Sequence, residues 1–244
     1  MQRLLNLAAI LLLACPLALS QVVPSGTVIP VMLTTTLDST KEKTGQLVAA
    51  KVMQAVPLPS GEEIPPGAML LGHVVQVQRR NGSLPSLLAV QFDKIVFRGR
   101  EQPIHAHVRA LASMMAVYEA QVPLFEPDTT PRSAVLLAPV GGEAAFQPDN
   151  PERSRVAPVP FSGDPPPGCG GRIDRDGGTG ALWVFSPYAC GVYGFGQSLV
   201  IANDGSTAPP GTIVLASRTN VSVHAGSGWL LRVESLETPA TTPH

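Results

Sequence analysis

The sequence predicts an all-β protein, and three observations carry that expectation. Only 14% of the 244 residues are charged, while 25 prolines and 23 glycines are spread along the chain. Apolar runs are short. Turn signals separate them at the close spacing of sandwiches and barrels rather than of long helices.

The elements follow in order. Thr27 to Leu33, Leu47 to Val56, Met69 to Val77, Leu87 to Phe97 and Ile104 to Arg109 read as strands. They are bounded by Lys43-Thr44-Gly45, Pro59-Ser60-Gly61, Asn81-Gly82 and Arg98-Gly99-Arg100, residue types that bend the chain by tolerating positive φ or by fixing φ near the turn value. Within the fifth run, Ile104, Ala106 and Val108 line one face of a strand and His105, His107 and Arg109 the other. Ala110 to Ala120 loses this alternation and contains Met114, Met115 and Ala116, which predicts a short helix.

Residues 121–168 hold eleven prolines, including Pro165-Pro166-Pro167, and few apolar runs besides Ala134 to Val140. They read as a Pro-rich linker or excursion, partly in polyproline geometry. Strands return in residues 169–236 as Ala181 to Phe185, Ser198 to Ala202, Thr212 to Ala216, Asn220 to His224 and Trp229 to Val233. This smaller β-rich part either completes the sheet begun by residues 21–120 or folds alone, although so few short strands make a poor independent core. The tail, residues 237–244, has the composition of a disordered end.

The amino terminus reads as a signal peptide over residues 1–20. Arg3 is its positive region, Leu4 to Leu13 its apolar stretch and Ala18-Leu19-Ser20 its cleavage site, so the mature chain begins at Gln21. The stretch from Leu4 to Leu19 contains Pro16 and falls short of the roughly 20 apolar residues that span a bilayer. Leu12-Leu13-Ala14-Cys15 offers a second route, lipidation at Cys15, though the leucine before Ala14 and the proline after the cysteine depart from that pattern. Either route exports the protein to the periplasm or beyond, and membrane contact arises only if Cys15 is lipidated.

Loss of Cys15 with the signal peptide leaves Cys169 and Cys190, and in an oxidising compartment an even pair is most simply a disulfide. The twenty residues between them make a loop whose closure stabilises by roughly 3 kcal/mol in the chain-entropy account. The mature charge of about −2, with no basic run, excludes a nucleic-acid grip.

Sites of chemistry are sparse. His105 and His107 share a strand face and could bind a metal, but a third ligand is missing, since nothing in the sequence places His73 of an earlier strand beside them, and solvent-facing histidines on a sheet look the same in sequence. Asp174-Arg175-Asp176-Gly177-Gly178 opens like a calcium loop without its third acid or distal glutamate, which favours a solvated turn. No Gly-x-Ser-x-Gly elbow is present, Glu62-Glu63 lies in a polar turn, and Gly226-Ser227-Gly228 reads as a hairpin turn. No cofactor is indicated. The glycine-flanked aromatics Tyr188, Tyr193 and Phe195 form either an exposed peptide- or glycan-binding surface or packing anchors at a tight bend.

Three segments carry a family resemblance: Gly26-Thr27-Val28-Ile29-Pro30-Val31-Met32-Leu33, Gly45-Gln46-Leu47-Val48-Ala49-Ala50-Lys51-Val52, and Ile64-Pro65-Pro66-Gly67-Ala68-Met69-Leu70-Leu71-Gly72. With Leu87 to Phe97 they resemble, in order and spacing, the periplasmic β-barrel domain of the TrbI/VirB10 family of type IV secretion and conjugation proteins, over residues 25–108. The resemblance implies a barrel in a non-catalytic envelope scaffold that associates with itself or with a protein partner. The chain departs from the family in having a signal peptide in place of the inner-membrane helix and no apolar helical insertion that would reach an outer membrane. The rival expectation is a secreted, monomeric binding module using the surface near Tyr188 to Phe195.

Overall fold

The structure, a computed structural model, describes residues 23–122, 139–142, 172–173, 180–195, 199–202, 209 and 211–234. In chain order its elements are β1 (Val28–Leu33), β2 (Leu37–Asp38), β3 (Leu47–Val52), β4 (Val56–Pro57), β5 (Glu63–Ile64), β6 (Met69–Gln78), β7 (Ser86–Phe97), β8 (Arg100–Pro103), β9 (Ala106–Ala112), α1 (Met114–Gln121), β10 (Gly191–Tyr193), β11 (Leu199–Ala202), β12 (Thr212–Ser217), β13 (Ser222–Val223) and β14 (Gly228–Val233). The signal peptide with Cys15, nearly all of the Pro-rich middle and the tail lie outside the described residues.

One sheet dominates, in the order β10-β9-β14-β1-β3-β6-β7-β12-β11, with β8 added to β7. All its ladders are antiparallel except β9 with β10. The β7–β8 connection is a two-residue hairpin with Arg98 at φ 50° and Gly99 at φ 71°, between the paired Phe97 and Arg100. Both central residues at positive φ match the twist of the flanking strands. Strand β8 then runs through Ile104 and His105 into β9, which pairs with β14 at the other end of the path. The sheet thus curls into a nearly closed barrel.

The last part of the chain completes this barrel. β14 sits between β1 and β9, and β12 pairs with β7. Its apolar strands find in the first part the core that they are too few to build alone. Pro30 shows how β1 manages a proline in a central position. Pairing with β3 begins at Val31, and the earlier half of that edge is met by Gly180, bridged to Val28, with the Ala181 N–H donating to the Val28 carbonyl at 3.3 Å.

Two bulges let the long β6–β7 hairpin bend around the barrel while its apolar residues stay inside. Leu88, Val90 and Phe92 point inward at even positions, then Ile95 and Phe97 at odd ones. The extra residue is Asp93, since Gly72 pairs Phe92 but Leu71 pairs Lys94. In β6 the extra residue is Val75, and inward positions move from Leu70 and Val74 to Val77. Each extra residue reverses the two-residue alternation, which is why a plain periodicity breaks down there. Gly72 stands beside the first bulge because a Cβ there would lie 2.0 Å from the Gln91 carbonyl oxygen.

The barrel interior is closed by Trp229 and Phe92, whose rings meet edge to face at 6.0 Å and 82°, surrounded by Ile29, Leu33, Leu70, Leu88 and Leu231. A second, smaller core lies on the outer face of β9, β14 and β1. There Ala110, Ala112 and Leu230 meet Ala116, Val117 and Ala120 of α1 and Val184, Phe185 and Tyr193.

Three sequence expectations need correction. The Leu47 to Val56 run is not one strand but two, β3 and β4, parted at residues 53–55. β9 does not stop at Arg109 but continues to Ala112, and α1 begins after Ser113. Arg109 is the extra residue of a third bulge, which breaks the alternation. Nor is Ala181 to Phe185 a strand. Trp183 adopts φ 50°, and the Phe185 N–H turns back to the Leu182 carbonyl at 2.9 Å. The run is apolar because it caps the outer core, not because it is extended.

Candidate functional site

Helix α1 carries the largest cluster of exposed apolar side chains among the described residues. Ser113, extended at φ −63° and ψ 160°, caps the helix by accepting the Ala116 N–H on its Oγ at 3.1 Å. Such a cap satisfies one of the donors that a helix start leaves open. The helix then lies flat on the sheet because its own buried positions, Ala116, Val117 and Ala120, meet an outer face made of Ala110, Ala112 and Gly228. A Cβ on Gly228 would come within 2.9 Å of the Val117 Cγ2. Small residues on both sides bring the helix close.

That docking turns the long side chains outward. Met114 is 47% exposed, Met115 57%, Tyr118 62% and Val122 38%. Residues 114, 118 and 122 are spaced by four, and 115 and 118 by three, so they form one stripe along the helix and its C-terminal cap. A short helix normally buries such residues; here the buried face is alanine-rich and the exposed face holds the bulk. Methionine and tyrosine offer adaptable and amphipathic contact area of the kind that protein interfaces favour. The helix ends where the chain enters the Pro-rich middle.

Beneath this surface lies a polar knot. Arg109 is 2% exposed, and its Nε donates to the Ala189 carbonyl at 3.2 Å. The Tyr193 hydroxyl donates to the Cys190 carbonyl at 2.8 Å and accepts the Cys190 N–H at 2.9 Å, closing the loop before β10. Burial raises the Tyr193 pKa, against the opposing pull of the Cys190 hydrogen bond and the Arg109 charge. A second knot ties the end of β14 to β9, where the Nδ1 of His107 lies 2.9 Å from Glu234 Oε1. That hydrogen bond holds the Glu234 carboxyl below its ordinary range despite partial burial.

The residues singled out in the sequence fare differently. Tyr193 is buried and its hydroxyl is committed, Phe195 packs against the barrel core, and only Tyr188 is exposed. The aromatics of residues 188–195 therefore do not share one open surface. His73 pairs with Asp93, Nδ1 to Oδ2 at 2.8 Å, whereas His107 pairs with Glu234. His105, half-buried, lies against Gly211. Among the described residues no three of His, Cys, Asp and Glu are grouped to hold a metal. Asp174, Asp176 and Cys169 lie outside the described residues, so neither the candidate calcium turn nor the Cys169–Cys190 pair is placed. Cys190 itself is half-buried just before β10. Among the described residues no helix is long and apolar enough to cross a membrane.

The stripe on α1 was not recognised in the sequence. Met114 and Met115 signalled the helix, but which side is buried depends on the alanines of β9, distant from any helical pattern. Compared with known proteins, the chain matches no family model, no curated protein and no solved structure.

Proposed function

We propose that this chain is an exported, non-catalytic component of a cell-envelope assembly, a scaffold that associates with a protein neighbour or with its own copies through the apolar face of α1. The exposed Met114, Met115, Tyr118 and Val122 are the observation that carries the reading. Contiguous apolar surface rimmed by polar residues is costly to leave in water and marks contact sites. Export rests on the signal-peptide pattern of residues 1–20, and the scaffold role on the resemblance of residues 25–108 to the TrbI/VirB10 barrel. A disulfide between Cys169 and Cys190 belongs to the same reading, since it would tie the Pro-rich middle to the loop that Tyr193 closes.

Four side chains cover only part of the roughly 1,600 Å² of a standard stable interface. A single contact through α1 is therefore weak, and repetition or a further surface must add to it.

The test is the state of the full-length protein expressed with its leader, followed by cell fractionation and by size exclusion with light scattering. The expected result is an envelope-associated, concentration-dependent assembly that Met115→Glu with Tyr118→Glu reduces to monomer without changing the circular dichroism. A cytoplasmic protein that stays monomeric at every concentration would overturn the reading.

A further inference from the structure

The β6–β7 hairpin outruns its neighbour on one side only. β6 pairs with β7 along its whole length, from Met69 to Gln78. It pairs with β3 only as far as His73, opposite Leu47. One further step is made by the turn before β3, where the Val74 N–H donates to the Gln46 carbonyl at 2.9 Å and the Val74 carbonyl accepts the Gly45 N–H at 2.8 Å. Gly45, at φ 84°, then turns the chain away. Beyond Val74 no described strand pairs with this edge of β6. The other side of the hairpin is secured, because β12 pairs with β7 from Ser86 to Gln91 and the Ser86 hydroxyl donates to the Thr219 carbonyl at 2.6 Å.

Among the described residues the edge from Val75 to Gln78 has no strand partner, so it presents backbone donors and acceptors in strand geometry, and the exposed basic side chains around it share one charge. Arg79 and Arg80 follow at the hairpin tip and Lys43 lies in the turn that leaves the edge, all three exposed. None of the three joins an ion pair among the described residues. Leu47, 79% exposed, stands where β3 leaves off. An unpaired edge is a template for strand addition, and like charges around it repel a second copy of the same edge.

We propose that the β6 edge from Val75 to Gln78 accepts an extended acidic segment of a protein partner by strand addition. The partner's backbone completes the ladder that β3 abandons, its carboxylates meet Arg79, Arg80 and Lys43, and an apolar residue covers Leu47. Charge selects the partner, since the backbone pairing alone is indifferent to sequence. This surface is separate from α1 and does not rest on the reading of that helix.

The test uses the whole protein with a synthetic peptide of alternating glutamate and valine as probe. Binding is followed by amide chemical shifts and hydrogen exchange. The expected result is slowed exchange and shifted resonances confined to residues 75–80 and the facing turn at residues 43–47. Affinity should fall about tenfold in Arg79→Glu/Arg80→Glu, and it should weaken as salt shortens the screening length to about 3 Å near 1 M. The same peptide N-methylated on alternate residues should not bind, a control that leaves the protein unaltered. No change at residues 75–80 with the probe in millimolar excess would overturn the proposal. So would equal binding of a lysine–valine peptide, or undiminished binding of the N-methylated one. These outcomes are independent of Met115 and Tyr118, so failure here leaves the α1 surface standing.

Discussion

Replacing Gly72 with alanine isolates what holds the barrel's longest ladder together. Gly72 has no unusual φ, so backbone freedom is not the issue. The added Cβ would lie 2.0 Å from the Gln91 carbonyl oxygen and 2.8 Å from the Gln91 carbonyl carbon and Phe92 Cα, all backbone atoms that no rotamer change can move aside. Strands β6 and β7 must separate locally at the bulge around Asp93. Overpacking of this kind costs about 1–3 kcal/mol, and weakening two adjacent ladder hydrogen bonds adds about 1 kcal/mol each. We expect a loss of about 3–5 kcal/mol, which for a chain of this size lowers Tm by about 6–20 °C. The assay is urea unfolding followed by tryptophan fluorescence, since Trp229 packs on Phe92 and reports on the core. Gly82→Ala at the hairpin tip is the control. Its Cβ meets open space, and only the positive φ of 55° carries a penalty, about 1 kcal/mol. A loss below 1 kcal/mol for Gly72→Ala, or one no larger than the control, would refute the steric argument.

Two further outcomes are expected. Phe92→Ala removes a fully buried ring from its contact with Trp229, so urea unfolding should show a loss of about 3–5 kcal/mol with an altered Trp229 emission. A loss under 1 kcal/mol would mean that the interior is not packed as described. Glu234 has its pKa lowered, chiefly by the His107 hydrogen bond, so the unfolded state takes up its proton first. The stabilisation it brings is complete above its ordinary value of 4.5 and is lost as pH falls through the lower folded value. Glu234→Gln should therefore reduce the acid-side slope of stability measured by thermal unfolding between about pH 5 and 3; an unchanged slope would remove Glu234 from the account.

Much of the fold was legible because strands advertise themselves locally. β1, β3, β6, β7, β11, β12 and β14 each fall within two residues of an apolar run bounded by turn residues, except where the Leu47 to Val56 run splits into β3 and β4. The turns at Gly45, Gly61, Gly82, Gly99 and Gly226 were equally local, and each of these glycines has positive φ. What failed locally had a non-local cause. Arg109 belongs to neither face of an alternating strand because a bulge opposite Leu230 and Leu231 resets the count. Trp183 breaks an apolar run that only the outer core explains.

By itself the sequence determined the class of the protein. Its short apolar runs, frequent glycines and prolines and low charge admit strands and exclude long helices, because alternation and turn chemistry act between near neighbours. The export signal and the even cysteine pair are expectations of the same local kind. Tertiary structure alone decided that Thr212 to Val233 completes the barrel begun by Val28, that Tyr193 is buried with its hydroxyl bonded to Cys190, and that α1 turns Met114, Met115 and Tyr118 outward. The physical reason is common to all three. Which face of an element is buried depends on what packs against it, and the partners here, Ala110 and Ala112 under α1 or β1 beside β14, lie far away in the chain.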